Sequence, residues 1–578
     1  MVSTPRSELK AALTSCKAAF IGIAFFSGLI NVLMLTGSFF MLEVYDRVLP
    51  SRSVPTLVGL ALLAGGLFSA QGLLDLIRSR LLVRIGASLD EALSGRVYNA
   101  IVRLPLKTGY RSEGNQPLRD LDTIRSFLSG LGPTALFDMP WMPLYLCIIY
   151  AFHPILGMAA LGGAVVLVIL TVLTEAFIRT PTRSATEAAM HRNGLAETSR
   201  RNAEVLLALG MAGHMGARWS DANQSYIASQ RRVSDVSGGL GALSKVLRMM
   251  LQSAILGIGA YLVIRQEATA GIIIAGSILS ARALAPVDLA IANWRGFVAA
   301  RQGWQRLHKL LAFLPAQNEL MQLPAPKVKL SVQGASASPP GDTRSVVHEI
   351  SFDLKSGQGL GIIGPSASGK SSLARLLVGV WRPVRGSVRL DGASLDQWHF
   401  EELGRHVGYL PQDVELFAGT VAQNIARFDP DADSKMIIAA AHAAGVHDLI
   451  VNLRDGYETQ LGDQGSALSA GQQQRIALAR ALYGDPFLVV LDEPNSNLDA
   501  EGEAALTRAI VGIRARGGVV VVIAHRPSAI AGVDLLLVLA QGRTQAFGPK
   551  DDVLSKLVRP SPPVSPLKVV TDLEGVAS

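Results

Sequence analysis

The chain has 578 residues, of which 49% are hydrophobic and 17% charged, and its mean hydropathy is +0.32. These values exclude a disordered chain and a small disulfide-rich domain, and they predict that part of the chain lies in a lipid bilayer. The net charge of +8 fits either nucleic-acid binding or the basic loops of a membrane protein. Cys16 and Cys147 lie in or beside apolar runs, where packing rather than a redox role is expected.

Two long runs without charged side chains open the chain. Residues 18–42 and 53–74 are each long enough to cross a hydrocarbon core of about 30 Å as a helix. The first run exceeds the apolar part of a signal peptide and is followed by Glu43 and Asp46 without a cleavage site. We therefore expect this run to remain in the mature protein as the first span.

A third uncharged run, 139–174, is too long for a single crossing, so Pro154 is the expected break between a third and a fourth span. The third span would then begin near Gly130 and contain Asp138. This carboxylate is either a functional group within the membrane or a residue at the water interface.

Residues 249–264 and 268–281 predict a fifth and a sixth span, and both runs have charged residues close to one end. The predicted total is six spans. Asp138 and Arg282, which follows the last run, are candidates for lining a transport pathway.

The basic residues separate the two sides of the membrane. Lys and Arg concentrate in residues 78–130 and 179–245, whereas the alternate connections contain only Arg47, Arg52 and Arg265. The positive-inside rule then places both termini in the cytoplasm. This distribution favours a membrane protein and no nucleic acid as a partner.

A glycine-rich segment follows an apolar strand candidate, 359–363. It matches the pattern G-x-x-x-x-G-K-[ST] between a strand and a helix, the context in which this pattern binds phosphate. Its backbone N–H groups would converge on phosphate oxygens, Lys370 would meet the β and γ phosphates, and Ser371 would ligate Mg²⁺. The candidate ATP-binding residues are Gly364, Pro365, Ser366, Ala367, Ser368, Gly369, Lys370, Ser371 and Ser372.

Two further apolar strand candidates end in side chains that can bind a metal ion, act on a water molecule or contact a phosphate. Residues 487–491 run into Asp492, which suits a Mg²⁺ shell, and Glu493, which either orients or deprotonates an attacking water or caps a helix. Residues 519–524 end at His525, whose imidazole either contacts the γ-phosphate or is structural.

A segment upstream of Asp492 favours the catalytic alternatives. Residues 468–475, LSAGQQQR, open a helix and resemble the signature sequence of ATP-binding cassette (ABC) proteins. The ordered set of motifs resembles the nucleotide-binding domain of that family over about residues 325–555. The corresponding motifs are Walker A at 364–371, the Q-loop at Gln412, the signature, Walker B at Asp492, the D-loop at 496–499 and the H-loop at His525.

The resemblance implies a role for each of these residues. Glu493, His525 and Gln412 would act in catalysis, and Ser371, Gln412 and Asp492 would hold Mg²⁺. Ser469, Ala470, Gly471 and Gln472 would contribute to ATP binding, with Ser469 and Gly471 contacting the γ-phosphate held by Walker A of a partner subunit. A helix N-terminus that carries a hydroxyl and a glycine suits an anion. ATP and Mg²⁺ are the expected cofactors.

Two features depart from the family pattern. Pro339 and Pro340 stand where an aromatic residue usually stacks on adenine, which puts base selectivity in doubt. Ala367 and Ala470 stand where glycine is common, which removes backbone freedom but leaves the charged and hydroxyl groups in place. Hydrolysis is still expected.

The expected fold is an α-helical six-span transmembrane bundle, the type I or type IV ABC exporter fold, fused to an α/β P-loop NTPase nucleotide-binding domain. This is half of an exporter, so we expect a homodimer with two composite ATP sites, closed by ATP and coupled to the spans through short helices near 104–121 and 197–213. The predicted domains are a cytoplasmic N-terminal segment (1–15), a transmembrane domain with two cytoplasmic coupling loops (16–315), a linker (316–340), the nucleotide-binding domain (341–555) and a flexible tail (556–578).

The segment FMLEVYDRVLP at 40–50, with NAEV at 202–205, resembles type I protein secretion exporters, in particular the branch that exports metalloproteases. The lack of an N-terminal peptidase domain before the first span agrees with that branch. From the residues alone, 40–50 is also explained as a polar cap on the first helix pair.

This second resemblance implies a multi-pass protein of the bacterial inner membrane, in contact with membrane lipids. Its implied partners are a second copy of the chain, a periplasmic membrane-fusion adaptor, an outer-membrane channel protein and a secreted polypeptide with a C-terminal signal. The expected function is ATP-driven export of unfolded polypeptides.

Two other functions stay open at the level of sequence. An exporter of lipids or amphiphilic drugs would have the same architecture and would need no adaptor. A sensor or scaffold that uses ATP only as a ligand is disfavoured, because Lys370, Asp492, Glu493 and His525 are all present.

Overall fold

The computed structural model of the protein describes residues 8–109, 114–315, 322–462, 465 and 467–558. It divides into two compact units, one of Met1–Leu104 with Arg111–Ala316 and one of Pro105–Tyr110 with Gln317–Ser578. Residues 559–578 of the predicted tail, residues 1–7 of the predicted N-terminal segment and residues 316–321 of the predicted linker lie outside the described residues.

The first unit is helical throughout its described residues, and α6 is the one helix in the following series that belongs to the second unit. The helices are α1 (Glu8–Ser15), α2 (Lys17–Leu33), α3 (Thr36–Glu43), α4 (Leu49–Ser51), α5 (Val54–Arg103), α6 (Pro105–Thr108), α7 (Gln116–Ser129), α8 (Gly132–Asp138), α9 (Met142–Phe152), α10 (Pro154–Arg201), α11 (Ala203–Ala208), α12 (Ala212–Ile264) and α13 (Ala270–Phe313).

Among the described residues, six helical segments are long and apolar enough to cross a membrane, which confirms the predicted number. The break between the third and fourth lies where the sequence predicts it, because α9 ends at Phe152 and α10 begins at Pro154. Pro154 occupies the first helical position, where its missing N–H costs no hydrogen bond. The second, fourth, fifth and sixth helices extend well past their apolar runs, so that the long basic loops are largely helical.

The end of the first span is joined to the start of the sixth. Residues Val44–Val48 form a π-helical turn, and the carboxylate of Asp46 accepts hydrogen bonds from Thr269 Oγ1 at 2.7 Å and from the Gly271 N–H at 3.0 Å. A carboxylate at a helix N-terminus satisfies a donor that has no partner within the helix. The distinctive segment 40–50 therefore holds two spans together within this unit.

Arg78 is almost completely buried among the spanning helices. Its Nη1 donates to both carboxylate oxygens of Asp138 at 2.9 and 3.1 Å and to Ser27 Oγ at 3.1 Å. Its Nη2 donates to Asp75 at 2.6 Å, and Asn31 donates to the Asp138 carboxylate at 2.9 Å. Asp138, which the sequence predicts to be either a functional group within the membrane or a residue at the water interface, is thus ion-paired within the helix bundle.

A cavity of about 410 Å³ lies beside this cluster of polar residues. Arg282, Arg78 and Asp138 all line it, together with Pro286 of the same helix as Arg282. The two candidate pathway residues, Asp138 and Arg282, therefore meet at one cavity.

The second unit combines strands and short helices. Its strands are β1 (Lys329–Ala337), β2 (Val347–Lys355), β3 (Gly359–Ile363), β4 (Arg385–Leu390), β5 (Ala393–Ser394), β6 (Val407–Leu410), β7 (Leu488–Asp492), β8 (Val519–Ile523), β9 (Leu535–Ala540) and β10 (Arg543–Pro549). Its further helices are α14 (Lys370–Leu377), α15 (Phe400–His406), α16 (Val421–Ile425), α17 (Ser434–Ala443), α18 (His447–Val451), α19 (Ala470–Leu482), α20 (Ala500–Ala515) and α21 (Lys550–Val558).

The strands form two sheets. One is antiparallel, in the order β2-β1-β4-β5, and the other has six strands in the order β10-β9-β3-β8-β7-β6. From β9 to β6 the neighbours in the larger sheet are parallel. β7 and β8 are buried along their whole length, as expected for parallel strands with helices on both faces.

The predicted linker of 316–340 is wrong in its second half. Strand β1 occupies Lys329–Ala337 and pairs with both β2 and β4, so the second unit begins well before the predicted residue 341. Its sequence, KLSVQGASA, is rich in the small polar residues that are typical of a linker, and pairing on both sides rather than propensity makes it a strand.

Replacing Arg78 by Met should destabilise the protein strongly, because the carboxylate of Asp138 would lose its cation. Removing one partner of a buried pair costs about 3–5 kcal/mol. The matched control is Arg47→Met, since the Arg47 side chain is 78% exposed and its pair with Glu43 is worth about 0–1 kcal/mol. Thermal unfolding of the purified full chain at one heating rate measures both variants. Equal decreases in unfolding temperature would show that the buried Arg78 pair does not stabilise the protein.

Candidate functional site

The carboxyl ends of four adjacent strands carry the predicted site residues. Parallel pairing aligns Ile362 of β3 with Ile523 of β8, and Ile523 with Asp492 of β7. The next strand, β6, pairs its last residue, Leu410, with Leu491. Because the carboxyl ends of parallel strands meet at one edge, the segments that follow these strands lie side by side, where α/β sheets bind ligands.

The glycine-rich loop connects β3 to α14, as predicted. A Cβ atom at Gly364 would collide with the carbonyl oxygen of Leu539, and Gly369 has a φ of +97°, which favours glycine. Ala367 also has a positive φ, +61°, so it holds a conformation that the usual glycine would adopt at lower cost. Pro365 and Ser366 are exposed beside Ala367.

Lys370 points back into this loop. Its Nζ donates to the carbonyl oxygens of Gly364 at 3.0 Å and Pro365 at 2.8 Å, and the residue is only 5% exposed. Burial lowers the pKa of the Lys370 ammonium, and the nearby carboxylates of Glu493 and Asp492 oppose that shift. A buried cation surrounded by backbone dipoles suits an anionic ligand.

Asp492 and Ser371 are joined across the strand edge. Ser371 Oγ donates to Asp492 Oδ1 at 3.2 Å, and burial raises the pKa of the Asp492 carboxyl. Its Oδ2 is buried and has no hydrogen-bond partner among the described residues, and the same is true of Ser368 Oγ in the loop. Carboxylate and hydroxyl oxygens are the ligands that Mg²⁺ prefers, so this pair fits a magnesium ion. Ser372 lies one residue further along α14.

Glu493 and His525 form a pair at the same edge. His525 Nε2 lies 3.0 Å from Glu493 Oε1, and the Glu493 N–H donates to Ile523 O at 3.0 Å. Glu493 has a φ of +50°, and such strain in a non-glycine residue is common at active sites. The structure therefore brings together the two residues that the sequence placed at the ends of separate strands. The catalytic role of Glu493 stays a prediction.

Gln412 follows β6 and is exposed. Its side chain makes no hydrogen bond within the described part of the chain, so it is available to a ligand at this edge.

The signature residues open α19. Ser469 is the N-cap, its N–H donates to Gln472 Oε1 at 3.0 Å and its Oγ accepts from the Gln472 N–H, so that the pair forms a capping box. Ala470 is exposed, and a Cβ atom at Gly471 would lie 2.7 Å from Asn497 O. Within the described residues, no hydrogen bond joins these four residues to the phosphate-binding loop.

Both units match known families. Residues 20–287 match the model of the ABC transporter transmembrane region, and residues 347–496 match the ABC transporter model. The type I secretion system ATP-binding protein PrsD of Rhizobium meliloti is 60% identical over 550 residues, which are 95% of this chain and 94% of that protein. The chain belongs to the ABC transporters.

Other relatives agree with this assignment. The cyclolysin secretion/processing ATP-binding protein CyaB of Bordetella pertussis is 30% identical over 531 residues, which cover 91% of this chain and 74% of that protein. The solved structure of a bacterial Atm1-family ABC exporter with ATP bound has a TM-score of 0.78 at 24% identity, with 94% and 96% of the two chains covered. The protein therefore has the ABC exporter fold, and it is an ATPase that couples hydrolysis to transport.

One residue of this ABC site was missed by sequence reasoning. Gln474 is only 2% exposed, and its Nε2 donates to Glu493 O at 3.2 Å and Ser496 Oγ at 3.3 Å, while its Oε1 accepts from the Asn497 N–H at 3.0 Å. It therefore connects the signature helix to the segment after Walker B. Gln473 and Gln474 are equivalent in the sequence pattern, and only burial against the rest of the domain distinguishes Gln474.

Gln474→Leu should reduce both stability and ATP hydrolysis, because it removes the donor to Glu493 O and the acceptor for the Asn497 N–H, at about 0.5–1.5 kcal/mol for each lost hydrogen bond. Gln423→Leu is the control, since Gln423 is exposed and accepts one capping bond from the Thr420 N–H at 2.9 Å. Thermal unfolding and the rate at saturating ATP are measured on both. A hydrolysis rate as high in Gln474→Leu as in the control would show that this connection does not position Glu493.

Proposed function

We propose that the protein drives export of unfolded polypeptides across the bacterial inner membrane, as the ABC component of a type I secretion system. The observation that carries the proposal is the 60% identity to a type I secretion ATP-binding protein over 95% of this chain, which includes both units. The second secretion relative, CyaB, covers 91% of the chain and supports the same assignment. The segment 40–50, which ties the first span to the sixth, belongs to the part of the sequence that resembles this class of exporter.

In the proposed mechanism, the phosphate-binding loop holds ATP by its backbone N–H groups and by Lys370. Ser371, Asp492 and Gln412 would hold Mg²⁺, which would neutralise phosphate charge. Glu493 orients or deprotonates the attacking water, and its short contact with His525 fixes the carboxylate. Phosphoryl transfer depends mainly on such positioning and on charge stabilisation.

Two copies of the chain would form the working exporter. The signature residues have no hydrogen bond to their own phosphate-binding loop among the described residues, and Ser469 and Ala470 are exposed. The N-terminus of α19 is a site that suits phosphate. In a homodimer, Ser469, Ala470, Gly471 and Gln472 of each copy would complete the ATP site of the other.

A type I secretion system also implies an orientation of the chain in the membrane and two partner proteins. The basic loops would face the cytoplasm together with both termini and the nucleotide-binding domain. A periplasmic adaptor and an outer-membrane channel would complete the route. The exported polypeptide would carry its signal at the C-terminus.

Glu493→Gln should bind ATP normally and lose hydrolysis by about 10²–10⁴-fold, the usual contribution of a positioned general base. Lys370→Ala should lose ATP binding itself, because its ammonium is the buried cation of the loop. Equilibrium nucleotide binding and phosphate release separate the two defects, with exposed Glu401→Gln as the control that keeps both activities. Hydrolysis by Glu493→Gln at the control rate would refute the assigned role.

Secretion is tested in cells that contain either the unaltered chain or Glu493→Gln at equal membrane abundance. We expect one or a few proteins to disappear from the culture medium of the variant. An unchanged medium, together with altered lipid distribution or altered tolerance to amphiphiles, would instead favour a lipid or drug exporter and would refute the polypeptide substrate.

A further inference from the structure

Arg427 connects three elements of the nucleotide-binding domain through backbone carbonyl groups alone. Its Nε donates to Arg480 O at 3.0 Å and its Nη2 to Ala481 O at 3.1 Å, both in the last turn of α19. Its Nη1 donates to Gly404 O in α15 and to Val407 O, at 3.3 Å, at the start of β6. One guanidinium therefore links the signature helix to the strand that leads to Gln412.

The surroundings of Arg427 suit a fixed charge. The last carbonyls of a helix have no partner within the helix and carry the negative end of its dipole, so the ends of α19 and α15 both attract a cation. Burial lowers the pKa of Arg427 to about 10, with neighbouring Arg480 contributing. Arg427 and Phe428 have φ angles of +57° and +58°, so the backbone is held in a strained conformation to deliver this side chain.

Arg480 makes a second connection between the same two parts. Its Nη1 donates to Glu415 O at 3.0 Å, and its guanidinium carbon lies 5.8 Å from the centre of the Phe417 ring. Glu415 and Phe417 follow Gln412 in the Q-loop segment. The signature helix is thus attached on one side to the strand before Gln412, through Arg427, and on the other side to the loop after it, through Arg480.

The two ends of α19 face different tasks. Its N-terminus carries Ser469 and Gly471. Its C-terminus, about 20 Å away for a helix of 13 residues, carries Arg480 and accepts the hydrogen bonds from Arg427. A helix of this length moves as a rigid body, because its backbone hydrogen bonds hold it together. A displacement of Gln412 would therefore be carried to the signature at the opposite end.

We propose that Arg427 and Arg480, the arginine pair, are positioning residues that transmit nucleotide binding at Gln412 of one subunit to the signature residues that serve the ATP site of the other. The inference rests on the proposed dimer with composite ATP sites. It predicts that the two sites of the dimer are coupled and that the arginine pair carries part of the coupling.

Arg480→Met is the primary variant, because Arg427→Met would leave several buried carbonyls without a donor and would put folding at risk. Arg480→Lys keeps a donor for Glu415 O. Arg516→Met is the matched control: Arg516 donates to one carbonyl, Pro486 O, also at 3.0 Å, and burial lowers the pKa of Arg516 as it does that of Arg480. Arg516 also pairs with Asp485 at 3.1 Å, and among the described residues it makes no hydrogen bond to the Q-loop segment or to α19.

The experiment titrates ATP against the hydrolysis rate of the full chain in liposomes and measures nucleotide affinity and thermal unfolding in parallel. For Arg480→Met we expect a Hill coefficient that falls towards 1 without reaching it, because Arg427 still carries its part of the coupling. We also expect a rate lower by about tenfold, which corresponds to about 1.4 kcal/mol of transition-state stabilisation. Nucleotide affinity and unfolding temperature should match the control, and Arg480→Lys should restore part of the rate.

Two results would overturn the inference while leaving the dimer in place. The first is that Arg480→Met has the same Hill coefficient and the same hydrolysis rate as Arg516→Met. The second is that Arg480→Met loses rate only to the extent that it also loses nucleotide affinity and thermal stability. A Hill coefficient of 1 in the unaltered chain would also overturn the inference, because there would be no coupling for the arginine pair to carry. An unaltered chain that stays monomeric with bound ATP would instead contradict the composite-site dimer itself. The two failures are therefore distinguishable.

Discussion

A buried parallel sheet that ends in charged side chains is the constraint on which the ATP site depends. β7 and β8 have no solvent-exposed residue, so their register is fixed by packing on both faces. Asp492, Glu493 and His525 follow directly from those strands and cannot move independently of them. The 3.0 Å contact between Glu493 and His525 is a consequence of the register of two apolar strands.

The buried edge of this sheet also holds two charged groups, Lys370 and Asp492, that the protein neutralises only in part. Lys370 is bonded to carbonyl groups, and burial lowers its pKa, while burial raises the pKa of Asp492. Asp492 also keeps one buried oxygen without a hydrogen bond among the described residues. In the proposed function, bound nucleotide would supply a negative partner for Lys370, and a divalent cation would supply a positive partner for Asp492.

In the membrane unit, by contrast, the buried charges are paired with each other. Arg78 satisfies its donors with Asp138, Asp75 and Ser27 on neighbouring helices, so the charges are balanced within the protein. The apolar runs and Pro154 predicted the spans, because length and hydropathy determine which segments cross a bilayer. The ion pairs could not be predicted from the pattern, because Arg78 and Asp138 are separated by 60 positions and only packing of the helices brings them together.

For the proposed ATP site, the local motifs were sufficient to place the candidate ligand-binding residues at one sheet edge and insufficient to identify the residues that support them. The loop around Lys370 and the strand ends at Asp492 and His525 have fixed spacing and specific chemistry, which makes them predictable. Strand β1 was assigned to a linker, because its pairing on both sides is a property of the sheet and not of its own residues. Gln474 was not distinguished from its neighbours for the same reason.

The signature helix supports the proposal that one chain holds only part of each ATP site. Its N-terminus is capped by Ser469 and suits an anion, yet among the described residues it makes no hydrogen bond to the loop that would hold the phosphates. Its C-terminus is held by Arg427 and Arg480 to the segments on either side of Gln412. In the proposed dimer, one end of this helix would respond to the nucleotide of its own subunit, and the other end would contact the nucleotide of the second subunit. Such an arrangement is useful only if a second copy supplies that nucleotide, and the geometry of α19 is therefore itself an argument for the proposed dimer.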